Sequence, residues 1–326
     1  MSRKKILITE PVPEEVYTYL NKNAEVEKWQ HTQAMPKEEL KKAIRDVHAL
    51  VTAKDTIDEE LLSAAKELEV VSNISVGYDN FNIEAIKKHN IAATHTPYVL
   101  DETVADLVFG LILSSARRIP ELDQYVKNGN WTHPVNQPLF GFDVHHQKLG
   151  IIGMGRIGEK IVRRATKGFE MDVFYHNRTR NVELEEKLNI NYLQLDQLLS
   201  TCDFILLMTP LTDQTYHMIN AESFKMMKKS AFFINAARGA VVNEKDLIEA
   251  LQNQEINGAG LDVFEQEPIN KDNPLLKMNQ VVTVPHIGSA TTKTRTEMAL
   301  YAAKNAVQVL EGNQPDALIK ELRKDE

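Results

Sequence analysis

The chain has 326 residues, more than a single hydrophobic core ordinarily serves, so two domains of usual size are expected. Its formal net charge of −8, without a lysine-rich tract or basic stripe, argues against nucleic acid as a partner. No apolar run reaches the roughly 18 residues that would cross a bilayer, and the single cysteine, Cys202, excludes an intrachain disulfide or a thiolate-built metal site. The apolar stretch in MSRKKILITE is too short for a signal-peptide core, and a cytoplasmic protein is expected. Strand-like and helix-like segments alternate through the first hundred residues: KILIT, PEEVYTYLNK, PKEELKKAIRD, HALVTA, EELLSAAKE, LEVVSNISV, IEAIKKH and IAATH. That alternation predicts a parallel sheet. DETVADLVFGLILSSARRIPELDQYVKNG then sets Val104, Leu107, Val108, Leu111 and Ile112 at helical spacing behind acidic residues, which predicts one long, mostly buried helix. Further strand signals recur at MDVFYH, FILLMTP, AFFINAA, GAGLDVF and VVTVPHI, and an amphipathic helix over 291–310 is expected to cross back to the first domain.

Between the long helix and MDVFYH lies KLGIIGMGRIG, with Gly153, Gly155 and Gly158 in the G-x-G-x-x-G spacing. The first glycine permits a tight strand-to-helix turn, the second lets backbone approach a pyrophosphate, and the third lets the helix pack on the strand. Phosphate would rest on the amides of Met154, Gly155, Arg156 and Ile157 at the helix start. A strand precedes and the amphipathic GEKIVRRATKGF follows, the context a dinucleotide site requires. About 20 residues on, where an NAD-selective site places an acid, stand Asn177, Arg178 and Arg180. Guanidinium groups pair with a 2′-phosphate, so NADP(H) is expected over NAD(H); the alternative is that both arginines are solvated loop charges.

Three charged residues follow apolar strands at the ends where ligands of open α/β sheets bind: Arg238 after AFFINAA, Glu267 in DVFEQEP and His286 in VPHIGSAT. Reduction of a 2-oxo acid needs a proton for the developing alkoxide and an anchor for the carboxylate. His286 can supply the proton, Glu267 can orient it and favour the charged imidazolium, and Arg238 can bind the carboxylate and polarise the carbonyl.

NAARGAVVNEKDLIEAL, GAGLDVFEQEP and VPHIGSAT, with GMGRIG, resemble the D-isomer-specific 2-hydroxyacid dehydrogenases over essentially the whole chain. That family's catalytic Arg, Glu and His fall on Arg238, Glu267 and His286. The resemblance implies an α/β fold of two doubly wound parallel-sheet domains, a Rossmann cofactor domain over 101–289 inserted into a split, flavodoxin-like substrate domain over 1–100 and 290–326. YHNRTR and GFDVHHQKLGIIGMGRIG resemble the NADP(H)-preferring glyoxylate/hydroxypyruvate and 2-ketogluconate reductases, whereas NAD-linked D-lactate and phosphoglycerate enzymes typically carry Asp where Asn177 stands. No regulatory domain is expected beyond residue 326, which disfavours the phosphoglycerate branch. The resemblance further implies substrate-carboxylate binding by the backbone of Ser75, Val76 and Gly77, and cofactor contacts from Thr103, Thr209, Pro210, Ala236 and Asp262.

Lys54, at a strand end, is read as solvated rather than substrate-binding. His95, His133, His145, His146 and His217 lack a second ligand at helical or hairpin spacing, and adjacent histidines on a strand would face opposite ways, so no metal is expected and these are read as surface or interface residues. The loop GNWTHPVNQPLFG is rich in aromatic and proline residues, and in related enzymes this region helps form a dimer, so a homodimer is expected. The alternatives are a dinucleotide-sensing scaffold of the same fold, since relatives include a corepressor, or an NAD-linked D-2-hydroxyacid dehydrogenase of another substrate.

Overall fold

The structure is a computed structural model and describes residues 3–31 and 34–323. The chain forms two compact units, Met1–Leu100 with Ala290–Glu326, and Asp101–Ser289. The first holds β1 (Lys5–Ile8), β2 (Glu25–Lys28), β3 (Ala49–Thr52), β4 (Val70–Asn73) and β5 (Ala92–Thr94), all parallel in the order β2-β1-β3-β4-β5. This is the flavodoxin-like order. β3 and β4 are buried along their whole length, as central parallel strands covered on both faces must be. Helix Thr292–Leu310 packs on β3, β4 and β5, where the Ser72 hydroxyl donates to the Ala302 carbonyl at 2.7 Å. Thr291 caps that helix, its hydroxyl accepting from the Thr294 amide.

The second unit holds β6 (Lys148–Ile152), β7 (Asp172–His176), β8 (Asn191–Tyr192), β9 (Phe204–Leu207), β10 (Phe232–Asn235), β11 (Gly258–Leu261) and β12 (Val281–Thr283) in one parallel sheet ordered β12-β11-β10-β9-β6-β7-β8. Chain order reverses at the β6–β9 pair, the switch point at which doubly wound sheets bind ligands. FILL, FFIN and GAGL are fully buried, and a core including Phe224, Phe233 and Leu247 covers one face.

Three sequence expectations differ from the structure. The segment after residue 100 forms two helices, Asp101–Ala116 and Ile119–Lys127, rather than one, and the second has no buried residue. Pro120 lacks an amide and its ring clashes with a continuing helix, and the chain turns at Arg118 in the left-handed region, φ 55°. His145 and His146 lie in an exposed turn before β6, not on a strand. The strands β2 (EVEK) and β8 (NY) were not anticipated, since both are short edge strands carrying mostly polar residues. Among the described residues no helix is long and apolar enough to cross a membrane.

Candidate active site

The glycine loop sits at the switch point of the larger sheet. Gly153 follows β6 with φ 99°, and a Cβ there would lie 2.7 Å from the Met208 carbonyl carbon and 2.8 Å from the Thr209 amide, so only glycine passes the end of β9 this closely. Asn177, one residue past β7, fastens the loop: its Oδ1 accepts from the Met154 amide at 2.7 Å and its Nδ2 donates to the Met154 carbonyl at 2.9 Å. Helix Arg156–Gly168 then starts at Gly155 with no side-chain cap, and among the described residues nothing beyond its own chain neighbours lies within 4 Å of where a Gly155 Cβ would stand. Uncapped amides, the positive end of a 13-residue helix and open space beside the N-cap fit the pyrophosphate of a dinucleotide. Gly158 is buried under Met154, Ile157 is half-buried, and Arg156 pairs through Nε with Asp101 at 3.3 Å.

Beyond Asn177 the two arginines differ. Arg178 is exposed and its Nη1 donates to Gln214 at 3.0 Å. Arg180 makes a bidentate pair with Glu185, both bonds 2.8 Å, and Glu185 also accepts from the Tyr175 hydroxyl. Thr209 donates its hydroxyl to the Ile152 carbonyl at 3.1 Å, joining the ends of β6 and β9, and the exposed Pro210 offers its carbonyl to Thr215. Ala236 stands just past β10 and Thr103 in the first turn of helix Asp101–Ala116, both half-buried.

Within the same unit, Arg238, Glu267 and His286 follow β10, β11 and β12. The His286 Nδ1 lies 2.7 Å from Glu267 Oε2. A carboxylate only accepts, so Nδ1 carries the hydrogen of this bond and Nε2 lies outside it. The other Glu267 oxygen accepts from the Phe264 amide at 3.1 Å. Burial alone would raise the Glu267 carboxyl, but the His286 bond and charge, the Phe264 amide and the Arg238 charge outweigh it and hold the group below the ordinary carboxylate range. Arg238 is half-buried and Nη1 touches the Ala237 carbonyl; Asn235, 1 % exposed, fixes this turn by bonding both the Ala237 amide and the Arg238 carbonyl. A Cβ on Gly239 would stand 1.8 Å from the Phe264 carbonyl oxygen, so the backbone beside Arg238 and the backbone leading to Glu267 meet only because residue 239 is glycine.

Asp262, expected to hold a cofactor carboxamide, has both oxygens occupied by backbone: Oδ1 accepts from Ile287 at 2.6 Å and Oδ2 from Gly288 at 2.9 Å. Its own carbonyl accepts from the His286 amide at 2.9 Å. His286 has φ 52°, a left-handed conformation uncommon for a side-chain-bearing residue, and Asp262 grips the backbone on its C-terminal side. Asp262 is 2 % exposed, and burial raises its carboxyl against the opposing pull of the Ile287 and Gly288 amides and the His286 charge.

In the smaller unit, Ser75, Val76 and Gly77 form a half-buried loop after β4. His95, read above as a surface or interface residue, is half-buried with its Nδ1 2.9 Å from the Val76 carbonyl, and the fully buried Asn73 donates to the Gly77 carbonyl at 2.8 Å. Neither carried a sequence signal, because each acts on backbone across a turn or from a neighbouring strand. Lys54 is exposed. His217 pairs with Glu265 at 2.5 Å. Among the described residues no group of three or more His, Cys, Asp or Glu could hold a metal ion.

Residues 109–288 match the family described as D-isomer specific 2-hydroxyacid dehydrogenase, NAD binding domain. The glyoxylate/hydroxypyruvate reductase B of Cronobacter sakazakii is 50 % identical over 271 residues, 83 % of this chain and 84 % of that one. Its Escherichia coli counterpart is 44 % identical over 310 residues, 95 % and 96 % of the two chains. Among solved structures, a Thermus thermophilus protein superimposes with a TM-score of 0.89 at 38 % identity, covering 97 % of this chain and 99 % of that one. An NADPH-dependent glyoxylate/hydroxypyruvate reductase from Sinorhizobium meliloti, solved with NADP and malonate, gives 0.88 at 30 % identity and full coverage of both chains. With two parallel α/β sheets and a dinucleotide loop at the switch point of the larger, the chain belongs to the D-isomer-specific 2-hydroxyacid dehydrogenase family and is an NAD(P)-dependent oxidoreductase.

Proposed function

We propose that this oxidoreductase is a cytoplasmic, NADPH-preferring reductase that converts small 2-oxo acids to D-2-hydroxy acids, glyoxylate and hydroxypyruvate before the longer 2-ketogluconate. The observation that carries the reading is the 2.7 Å contact between His286 Nδ1 and Glu267, which turns one histidine into an oriented proton donor. A bound nicotinamide dinucleotide supplies the hydride. The His286 Nε2–H gives its proton to the oxygen that becomes the alkoxide. Glu267, held below its ordinary range, stays ionised through neutral pH and stabilises the imidazolium before transfer. Arg238 binds the substrate carboxylate and polarises the carbonyl. In the smaller unit, the backbone of Ser75, Val76 and Gly77 is suited to a carboxylate. Asp262 keeps His286 in place.

Gly153, Met154, Gly155, Arg156, Ile157 and Gly158 would hold the pyrophosphate, with Thr103, Thr209, Pro210 and Ala236 lining the remainder. Asn177 supports the preference for NADPH by removing the carboxylate that would repel a 2′-phosphate, its own side chain being engaged with Met154. Arg178 is the cation left to meet that phosphate, whereas Arg180 would first have to leave Glu185. The Sinorhizobium relative, named as NADPH-dependent, supports the same preference.

The reading extends to a homodimer. Trp131, Val135, Phe140 and Phe142 are 59, 58, 58 and 44 % exposed along one arm, a stretch of apolar surface suited to a second copy of the chain. Arg118 anchors the arm through the Pro138 and Phe140 carbonyls. Sedimentation equilibrium giving only monomer at micromolar concentration would remove this part.

Initial rates of NADPH and, separately, NADH oxidation with glyoxylate, hydroxypyruvate and 2-ketogluconate at neutral pH test the proposal. Turnover favouring NADPH is expected, and cofactor binding without turnover on any of the three would overturn it.

A further inference from the structure

The loop after β4 is held by its carbonyls. The Ser75 carbonyl accepts from the Thr96 amide at 2.9 Å, the Val76 carbonyl from His95 Nδ1 at 2.9 Å and the Gly77 carbonyl from Asn73 Nδ2 at 2.8 Å. In a planar trans peptide the N–H points opposite to the carbonyl of the preceding residue. Fixing the Ser75 and Val76 carbonyls therefore turns the Val76 amide away from Thr96 and the Gly77 amide away from His95. Among the described residues neither amide has an acceptor. Chemistry sets the direction of each clamp: a carbonyl can only accept, so Asn73 must present Nδ2 and His95 must carry its hydrogen on Nδ1. The cost is visible at Asn73, whose buried Oδ1 has no partner among the described residues, and at Thr96, whose fully buried hydroxyl likewise has none among them. The His95 ring is held in turn by an edge-on contact with Tyr78, centroids 5.3 Å apart, and the Tyr78 hydroxyl bonds Glu321 at 3.1 Å.

The geometry points to His95 as a positioning residue that presents the Gly77 amide to a carboxylate beside the Val76 amide set by the Thr96 bond, with Asn73 fixing the peptide that follows, so that the binding strength of a 2-oxo acid depends on a side chain that never touches it. This rests on the reading that the substrate carboxylate meets this loop. Two amides held in fixed directions can form a preorganised anion site, and loss of a clamp frees its peptide to rotate the donor away.

The test compares His95→Phe, which keeps a ring against Tyr78 and removes the donor, with His95→Asn, which keeps a donor. With NADPH present, His95→Phe is expected to raise the KM for glyoxylate and the Kd for oxamate on the order of tenfold, with kcat within about twofold. NADPH affinity should not move, and His95→Asn should stay near the parent. Unchanged KM and Kd in a folded His95→Phe protein would overturn the clamp and leave the proposed activity standing. A parent that reduces no 2-oxo acid but whose oxamate binding weakens in His95→Phe would sink the activity and support the clamp. If the parent neither turns over nor binds oxamate, both fail. Should His95→Phe not fold, hydrogen exchange of the parent decides: oxamate should protect the Val76 and Gly77 amides, and unaltered exchange overturns the inference.

Discussion

Asp262 and His286 are joined through backbone rather than side chains: the His286 amide donates to the Asp262 carbonyl at 2.9 Å, and the Asp262 carboxylate takes the next two amides, Ile287 and Gly288. Three bonds from one buried residue hold a histidine at φ 52°. The residue read from sequence as a cofactor contact thus also supports the proposed proton donor.

Asp262→Asn should separate these two roles. The amide would turn an NH2 toward one of two buried N–H groups, leaving at least one donor unsatisfied at a cost of about 1–3 kcal/mol. A lowered melting temperature and a kcat loss larger than any rise in the NADPH KM are expected. A variant with normal stability and kcat but weakened cofactor binding would return Asp262 to the cofactor.

Glu267→Gln probes the pH dependence of the proton donor. The lowered Glu267 carboxyl means that the pair contributes fully above the ordinary carboxylate value and is lost as pH falls through the depressed folded value. Near neutrality Glu267 is therefore anionic and accepts from His286 Nδ1. Removing the titrating carboxylate should abolish the acid-side fall of kcat/KM that its protonation causes and reduce kcat on the order of a hundredfold. A superimposable pH–rate profile would refute the role.

Arg178→Ala should raise the KM for NADPH about 10- to 100-fold, the worth of charge-assisted bonds to phosphate, and leave the NADH value nearly unchanged. Arg180→Ala should alter cofactor choice little, because its guanidinium is already paired with Glu185, and should instead loosen the helix Val182–Leu188. Steady-state kinetics with both cofactors distinguish the two arginines. A preference lost with Arg180 alone would reverse the assignment.

How much was legible in the sequence follows from where the information sits. FILL and FFIN announce central parallel strands because burial on both faces demands unbroken apolar runs. EVEK announces nothing, since an edge strand need not be apolar. Arg238, Glu267 and His286 stand out as candidates because each follows such a run, where charge has no packing purpose. The parts played by Asn73, His95 and the backbone bonds of Asp262 do not stand out in the sequence, because each holds a peptide group whose orientation exists only after folding. The break at Arg118 was signalled by Pro120 two residues on, but the apolar spacing before it masked the stop.

Gly239→Ala tests whether the proposed catalytic arrangement depends on backbone contact between two strand ends. An added Cβ would fall 1.8 Å from the Phe264 carbonyl oxygen and 2.4 Å from the Glu265 amide, and both neighbours are main chain that cannot rotate aside. The turn bearing Arg238 must then move away from the segment bearing Glu267. Overpacking of this kind costs about 1–3 kcal/mol and occasionally more. Because Arg238 contributes to the lowered state of the Glu267 carboxyl, separation should also weaken that effect. The expected result is a folded but less stable protein whose kcat/KM for glyoxylate falls by at least about tenfold while NADPH affinity, set by the loop after β6, is retained. Parent-like stability and kinetics would mean that the two segments can part without consequence, and that the close approach at Gly239 is not what sets Arg238 against Glu267.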